Sequence, residues 1–343
     1  MKELPCDDKG TTFYLELQAL SDLDKRDNRG KRHDMSMILL GLTLAILSNR
    51  DGNLSSIQRH MKNHYVKTCA FIGVLPYKVV SRSQLPLILS EVNVSVFEGH
   101  IFNFYGIRLS EAEKKWFSGD GKELRGSIEK GDKRGEAVVQ IVAHETGEVL
   151  CETFYNGKKE SEKPAIRDII KSSGVGNQKI SLDALHFNPS TLQLINQATG
   201  VYLVGLKENQ GELLADMTKA TQYLTAAYHY KTVDKGHGRL EIRDYQIFDI
   251  RKEYVDTRWD KCDLEALIQV NRKRVDMKTD KESVEIAYYM TNLMPHTEIM
   301  AKEHFGAVRH HWSVEVTNHI QDVTLNEDKF RTKKTIVLKL LPL

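Results

Sequence analysis

Three acidic residues stand in sequence contexts that could support metal-dependent chemistry. Asp120 lies between two glycines at the end of a short apolar stretch, Asp183 directly follows an apolar strand pattern, and Glu315 belongs to a helical pattern. Carboxylate oxygens suit Mg²⁺ and Mn²⁺, and two such ions about 4 Å apart can activate water and stabilise a leaving oxygen in phosphodiester cleavage. If the three acids meet in the fold, they could carry out that reaction.

Each acid also has a purely structural interpretation. An Asp beside a Gly is common in turns, an acid after a strand commonly caps a helix, and a helical Glu is commonly solvated. In helical register, His311, Trp312 and His319 share a face with Glu315. Trp312 is interpreted as a core anchor in preference to a base-stacking residue. Spacing alone does not show that the acids meet.

The elements that must position these acids follow a mixed α/β order. The expected elements are strands at 116–120, 137–144 and 149–155, a helix from Pro164, a strand ending near Asp183, a helix from Pro189, a strand at 201–207 and a helix at about 211–226. A polar β-rich stretch from 228 to 290 follows and is interpreted as an insertion. A long helix from about 297 to 321 then carries Glu315, and the first hundred residues are expected to be mostly helical.

Composition excludes several classes of protein. With 343 residues, 41% of them hydrophobic and 28% charged, the chain can bury a sizeable core, which excludes a disordered chain or a small disulfide scaffold. Its 49 basic and 47 acidic residues leave a net charge of only +2. Any attraction to nucleic acid must therefore come from local clusters of basic residues.

Cysteine spacing and the length of apolar runs indicate the cellular compartment of the protein. The four cysteines are too widely separated for a zinc-ribbon pattern, and we expect reduced thiols in a cytosolic protein. The N-terminus lacks the apolar segment of a secretory signal. The longest apolar run, residues 37–47, is about half the length that crosses a bilayer. It is expected to be a buried helix, so no membrane association is predicted.

Several collinear segments resemble the DDE-type insertion-sequence transposases, in particular the group of H-repeat-associated proteins (ISAs). The N-terminal segment that resembles this group is DKRDNRGKRHDMSMILLGLTLAIL. Six further segments follow in order: SGDGKELRGS, ISLDALHFNP, VYLVGLKENQ, DKGHGRLEIR, AYYMTNL and VRHHWSVEVTNHIQDVTLNEDKFR. The resemblance is carried by this order, since any one segment alone would be a weak signal.

The resemblance implies an α/β fold with a ribonuclease H-like mixed-sheet catalytic core, a β-rich insertion and an N-terminal helical domain. The implied divisions are 1–105 for the N-terminal helical domain, 106–210 for the first part of the core, 211–295 for the β-rich insertion and 296–343 for the C-terminal helix and basic tail. In this family the insertion is expected to help hold the transposon end.

The resemblance also implies a DNA transposase that cuts and joins transposon ends with two Mg²⁺ or Mn²⁺ ions per active site. Asp120 would bridge the two ions, and Asp183 and Glu315 would each hold one. The expected partners are double-stranded DNA, with terminal inverted repeats and target DNA, and a second copy of the chain in a homodimer on the DNA ends. The expected location is the bacterial cytoplasm, at the nucleoid.

A set of residues near the motifs is expected to contact DNA, with ordinary surface or structural roles as the alternatives for each. For His186 the alternatives are a phosphate contact, the orientation of a carboxylate or a structural histidine. The candidates are Lys122, Arg125, His186, Lys207, Asn209, Gln210, His237, Arg272, Lys273, Arg274, Arg309 and His311.

Departures from the family pattern keep two other functions open. The chain has Glu208, Val316 and Ile320 where the family usually has glycine, asparagine and tryptophan. His311 and Asp322 occupy positions where related transposases carry a DNA-contacting arginine and lysine. None of these changes removes an acid of the triad. The alternatives are a catalytically inactive or domesticated DNA-binding relative, and a nuclease that hydrolyses DNA without strand transfer.

Overall fold

A computed structural model describes residues 9–48, 53–105, 109–110, 112–128, 131, 133–236, 238–253 and 255–324. Its helices are α1 (Lys9–Ala19), α2 (Met35–Leu47), α3 (Leu54–Phe71), α4 (Leu85–Leu89), α5 (Val94–Tyr105), α6 (Glu162–Ser173), α7 (Pro189–Gln197), α8 (Gly211–Ala220), α9 (Glu298–His310) and α10 (Ser313–His319). Its strands are β1 (Trp116–Glu123), β2 (Glu136–Ala143), β3 (Val149–Asn156), β4 (Lys179–Leu182), β5 (Val201–Leu206), β6 (Tyr228–Gly236), β7 (Arg239–Asp249), β8 (Ala266–Asp276) and β9 (Glu282–Thr291).

Helices α1 to α5 pack around a hydrophobic core of their own, in agreement with the expected helical N-terminal part. Helix α2 begins where its sequence predicts, because the side chain of Asp34 accepts a hydrogen bond from the backbone N–H of Ser36. Most of α2 is buried, whereas Leu44 and Leu47 in its last turns are exposed. The apolar run at 37–47 is therefore a buried helix whose end reaches the surface.

One nine-stranded mixed sheet forms the rest of the structure, with the order β3-β2-β1-β4-β5-β9-β8-β7-β6. Strands β1, β2 and β3 are antiparallel, and β4 and β5 run parallel to β1. Strand β9 pairs antiparallel with β5, and β8, β7 and β6 continue outward as an antiparallel meander. The strands of the expected insertion therefore extend the same sheet.

Helices cover both faces of this sheet. On one face, Ile166 of α6 and Leu192 of α7 pack with Ile141, Leu182 and Val204 of the strands. On the other face, helix α9 packs against β5 and β8. Parallel strands are normally covered on both faces in this way, which agrees with the continuous burial of β4 and β5.

The helix expected at 297–321 differs from the structure. Helix α9 ends at His310, a turn occupies residues 311–312, and α10 begins at Ser313. At this turn the side chains of His311 and Ser313 both hydrogen-bond to serines of the sheet, which draws the chain onto the sheet. The helix expected at 211–226 also ends earlier, at Ala220.

Two sequence expectations concern cysteines and membranes. Cys69, Cys151 and Cys262 are free cysteines, and Cys6 lies outside the described residues. Within the described ranges, no helix combines the length and apolarity that a bilayer crossing requires.

Candidate functional site

Asp120 and Asp183 lie next to each other on two neighbouring parallel strands. The pairing of β1 with β4 ends at Gly119 and Leu182, and the two aspartates are the next residues along the chain. Asp183 directly follows β4, whereas the first strand does not end at residue 120 as expected, because β1 continues to Glu123 through its pairing with β2. Neighbouring strands lie about 4.8 Å apart, and paired residues of parallel strands share a face of the sheet. The two acids therefore share the face that bears Ser118 and Ser181.

Glycines 119 and 121 face the opposite side of β1, where helix α6 packs. A Cβ atom on Gly119 would approach Cδ2 of Leu182 to 2.8 Å and Cδ1 of Ile166 to 3.1 Å. A Cβ atom on Gly121 would lie 2.5 Å from Oε2 of Glu162. The absence of a side chain at both positions therefore lets α6 approach β1.

Helix α10 brings Glu315 to the face shared by the two aspartates. The hydroxyl of Ser313 hydrogen-bonds with that of Ser118 at 3.1 Å, and Thr317 Oγ1 donates to the backbone oxygen of Gly147 at 3.2 Å. Val314 is the buried apolar anchor of this short helix. Glu315 itself is exposed to solvent.

His311 holds the start of α10 against β4. Its Nδ1 lies 3.1 Å from the hydroxyl of Ser181, which also lies 2.9 Å from Nε2 of His144. The pKa of His311 is lowered to about 4, mainly by burial. This histidine was a candidate DNA contact, and in this structure it is a neutral residue that fixes the helix to the sheet.

Negative charge is concentrated around Asp120. The pKa of Asp120 is raised to about 7, first by burial and then by the nearby carboxylates of Glu162, Glu315 and Asp183. The pKa of Glu315 is also raised, first by partial burial and then by Asp183, whereas Lys207 opposes that rise. The three acids singled out in the sequence therefore lie within each other's electrostatic influence.

Glu162 is a fourth acid at this site that the sequence analysis did not identify. It is the first residue of α6, and its Oε1 lies 2.8 Å from Nε2 of His186. His186 is fully buried, and of the alternatives considered for it the structure shows a carboxylate partner. Glutamate is common in the first turn of any helix, so only the fold reveals this position.

The segment that follows Asp183 is held by side chains from the segment after β5. Asn209 donates to the backbone oxygen of Ala184 at 2.7 Å, and Gln210 donates to that of Phe187 at 2.9 Å. Lys207 is largely exposed, and its Nζ lies 3.5 Å from Oδ1 of Asp183. Asn209 and Gln210 thus support the backbone beside the acid, whereas Lys207 is open to a ligand.

Lys122 is engaged within the protein. Its Nζ lies 2.7 Å from Oδ1 of Asp322 and 3.4 Å from Oε1 of Gln321, and its side chain is only 8% exposed. Asp322 is one of the departures from the family pattern, and here it ties the end of the α10 segment to β1. Arg125, in contrast, is exposed in a short 3₁₀ turn after β1.

A double-mutant cycle tests the structural role of Lys122. We expect Lys122→Met and Asp322→Asn each to destabilise the fold, because each leaves a partly buried charge without its partner. The coupling free energy should be roughly 1 to 3 kcal/mol, measured by urea unfolding of both single variants and the double variant. A coupling near zero would contradict the ion pair.

The expected positive patch at 272–274 is neutralised by acids on neighbouring strands. Arg272 lies 3.6 Å from Glu285, Lys273 lies 2.7 Å from Glu282, and Arg274 lies 3.3 Å from Glu241. Arg309, also a candidate, lies 3.2 Å from Asp234. The strand register places opposite charges side by side here, so these cations form a charge ladder within the protein.

Two further expectations have different outcomes. Trp312 is 53% exposed, so its interpretation as a core anchor is wrong, and the base-stacking alternative remains a prediction. The buried tryptophans are Trp116 and Trp259. His237 and the basic tail from residue 325 lie outside the described residues.

Comparison with known proteins identifies distant relatives. The "Putative transposase YncI" of Escherichia coli O157:H7 is 29% identical over 224 residues, which are 63% of this chain and 56% of that protein. The "H repeat-associated putative transposase YhhI" of Escherichia coli K12 is 24% identical over 322 residues, which are 91% of this chain and 82% of that protein. "Putative protein YbfL" of the same strain is 25% identical over 313 residues, 88% of this chain and 80% of its own length.

The chain is a distant homologue of the Escherichia coli proteins named "H repeat-associated putative transposase". The alignment with YncI spans little more than half of that protein, whereas the alignment with YhhI spans most of both chains. No family model matches the chain. Among solved structures, a piggyBac transposase synaptic complex with hairpin DNA aligns with 97% of this chain and 70% of its own chain, at 9% identity and a TM-score of 0.39.

The side chains at the acidic site fit a hard divalent cation by their chemistry. All four acids offer carboxylate oxygens, and a cation would relieve the mutual repulsion that raises the pKa of Asp120. Within the part of the chain that the structure describes, no three His, Cys, Asp or Glu side chains are already arranged to hold one ion. The four acids are therefore close to each other but do not form a preassembled metal site.

Proposed function

We propose that this chain is a metal-dependent DNA transposase that cuts and joins transposon-end DNA by phosphodiester hydrolysis and strand transfer. The observation that carries the proposal is that Asp120 and Asp183 lie side by side where the pairing of the parallel strands β1 and β4 ends, with Glu315 supplied by α10 on the same face. The distant homology to H repeat-associated transposases supports the same function.

We further propose that strands β1 to β5 with α6, α7 and α10 form a ribonuclease H-like core. The support is the topology, in which three antiparallel strands are followed by two strands parallel to the first. The divisions at 1–105, 106–210, 211–295 and 296–343 remain part of this proposal. The first of these divisions is supported by the separate hydrophobic core that α1 to α5 form.

The proposed cofactors are Mg²⁺ or Mn²⁺, with Asp120, Asp183 and Glu315 as the residues that would hold them. Bound at these carboxylates, divalent cations supply activation of the attacking hydroxyl group and stabilisation of the leaving 3′ oxygen. The protein's own contribution is to fix Asp120 on β1, Asp183 directly after β4, and Glu315 on a helix whose start is hydrogen-bonded to those strands. Rigid positioning of this kind provides much of the rate in phosphoryl transfer.

Lys207 and Arg125 are the candidate DNA contacts that remain exposed beside the acids. Lys207 lies against Asp183, where it can balance the carboxylate and approach a phosphate as the DNA strand enters. Arg125 follows β1 and can bind a phosphate with two parallel hydrogen bonds. The proposed partners are double-stranded DNA, with transposon terminal repeats and target DNA, and a second copy of the chain when two ends are joined.

The test is cleavage and joining of DNA that carries the ends of the chain's own element. We expect wild-type protein to cut such DNA with Mg²⁺ or Mn²⁺ but not with EDTA, and to join the cut end to a target. Binding without cleavage under all these conditions would contradict the proposal and favour the inactive DNA-binding relative. Cutting without joining would favour the hydrolytic nuclease.

Replacing Glu162 tests whether its carboxylate raises the pKa of Asp120. We expect Glu162→Gln to lower the pKa of Asp120 from about 7, because the replacement removes a nearby negative charge. The measurement is an NMR titration of the aspartate carboxyl carbons in metal-free protein. Glu160→Gln is the matched control, because Glu160 accepts from the backbone N–H of Asn156 and does not contribute to the pKa of Asp120. An unchanged pKa of Asp120 in Glu162→Gln would contradict an interaction between the two carboxylates.

A further inference from the structure

The outer part of the sheet, formed by strands β6 to β9, has an apolar face. Side chains alternate between the two faces along a strand, and residues paired across antiparallel strands share a face. The continuous register of these four strands therefore brings six apolar side chains together on one face. They are Val233, Leu240, Ile242, Val275, Val284 and Ile286.

This apolar face is open to solvent. Val233 is 60% exposed, Val284 is 71% exposed and Ile286 is 52% exposed, and the other three side chains are half-buried. The reverse face of the same strands carries Arg272 and Arg274 with their acidic partners. Antiparallel sheets commonly cover one face with apolar contacts and leave the polar face to water, and a contiguous exposed apolar patch commonly marks an interface. The apolar face therefore has the character of a docking surface.

Opposite charges lie at the two sides of the apolar face. Lys235 of β6, Leu240 of β7, Val275 of β8 and Glu282 of β9 are paired in succession, so they form one row across the sheet. The side chains of the lysine and the glutamate are both exposed. Glu282 also lies 2.7 Å from Lys273 of its own chain, and its two oxygens can accept hydrogen bonds from a second lysine as well. The row thus has a cation at one end, an anion at the other and apolar side chains between them.

Two copies of this face are complementary to each other. When they pack about a two-fold axis that runs parallel to the strands between β7 and β8, β6 of each copy lies over β9 of the other. Lys235 of each copy then faces Glu282 of the other, and in the neighbouring row Val233 faces Val284. Sheets that pack face to face keep their strand directions within about 30° of each other, and a two-fold dimer uses the same patch on both copies. The face fulfils both conditions.

The composition of the face favours a protein partner over DNA. DNA is bound largely through hydrogen bonds to phosphate oxygens, for which the six apolar side chains offer no donor. Four strands about 4.8 Å apart and three rows of side chains give a footprint of roughly 400 Å² per copy. This area is about half of what each partner contributes to a standard interface, so the contact should be weak and reversible.

We propose that this face is the contact between two copies of the chain, which pack sheet on sheet about that two-fold axis. The inference goes beyond the proposed function, because it assigns the surface on which the copies meet and needs no DNA. The β-rich segment thereby acquires a structural role in a dimer.

The experiment measures association by sedimentation equilibrium of the full chain in EDTA, without DNA. We expect wild-type protein to pass from monomer to dimer between about 1 and 200 µM. Lys235→Glu and Glu282→Lys should each weaken self-association about tenfold or more, because each variant places like charges opposite each other twice. An equal mixture of the two variants should associate like wild-type protein, since every facing pair is then of opposite charge. Lys67→Glu, a charge reversal at an exposed position of α3, is the matched control and should associate like wild-type protein.

A cysteine pair tests the same geometry without changing a charge. Within one chain, positions 233 and 284 lie three strand spacings apart, about 14 Å, which is too far for a disulfide. Val233→Cys and Val284→Cys should therefore stay monomeric on oxidation when each is alone, and their mixture should give a covalent dimer. Both positions are exposed, so the variants should keep the wild-type melting temperature.

Three outcomes would overturn the inference. They are wild-type protein that stays monomeric over the whole concentration range, charge-reversed variants that associate as wild-type protein does, and a mixture of those variants that associates no better than either one alone. None of these decides the proposed chemistry, which is tested separately by metal-dependent cleavage at Asp120. A protein that cuts and joins DNA but shows any of them would keep the proposed function and lose this interface.

Discussion

Asp120→Asn is expected to abolish metal-dependent DNA cleavage while leaving DNA binding intact. The amide has almost the shape of the carboxylate but cannot supply the negative charge that holds a divalent cation. Loss of several kcal/mol of transition-state stabilisation corresponds to a rate loss of about a thousandfold or more. The measurement is single-turnover cleavage of end DNA with Mg²⁺, together with binding of the same DNA in EDTA.

The same substitution should raise the melting temperature near neutral pH. The pKa of Asp120 is raised to about 7 in the folded protein, so ionisation of this group costs stability as the pH rises from its ordinary pKa toward that value. Asp216→Asn is the matched control, because Asp216 is an exposed acid on α8 near Lys219. We expect the control to cut DNA at the wild-type rate. Cleavage by Asp120→Asn at that rate would remove Asp120 from the chemistry.

Acid should destabilise the fold through His144. This side chain is buried, its Nε2 lies 2.9 Å from the hydroxyl of Ser181, and its ring stacks on Trp116. The pKa of His144 is lowered to about 3, first by burial and then by the nearby His311 and His310. The unfolded chain then binds the proton more readily, so stability is complete above the unfolded pKa of about 6.5 and falls as the pH decreases toward about 3.

The expected effect at pH 5 is a loss of roughly 2 kcal/mol from this one group. The measurement is urea unfolding of wild-type protein and His144→Gln at pH 7.5 and at pH 5. Glutamine can still hydrogen-bond to Ser181 but does not titrate, so the variant should lose less stability between the two pH values. If both proteins lose the same amount, His144 is not the group responsible.

The aspartates could be singled out from sequence because each follows an apolar run. The run before Asp183 does mark the end of β4, whereas β1 continues past Asp120 to Glu123, and the parallel pairing of β1 with β4 brings the two acids together. Glu315 could be placed on a helix from its sequence pattern, but its role beside the aspartates was implied only by the resemblance. The break of its helix at residues 311–312 depends on serines in β1 and β4 that are distant in sequence.

The contacts that sequence analysis missed are pairings between distant segments. Glu162 has the ordinary composition of a helix start, and its position beside Asp120 depends on how closely α6 can approach Gly121. Lys122 was expected to reach DNA. Its actual partner, Asp322, belongs to another element and lies two hundred positions away in sequence, so the ion pair could not be predicted from the residues around Lys122. These pairings are set by packing, for which a single sequence carries no local signal.

The charge ladder at 272–274 shows a second limit on what can be predicted from sequence. Residues 272–274 form a basic cluster along the chain, but the pairing of β8 with β7 and β9 places Glu241, Glu282 and Glu285 beside them. A cluster in sequence therefore predicts a positive surface only when the facing strands are known.

The attachment of β9 to β5 has a consequence for any attempt to shorten the protein. Strand β5 is almost entirely buried and apolar, and its outer edge is covered by β9 alone. Excision of residues 211–295 to obtain a minimal catalytic fragment would uncover that edge, and an uncovered apolar strand readily pairs with other molecules. The segment that interrupts the core along the chain thus also protects it from aggregation.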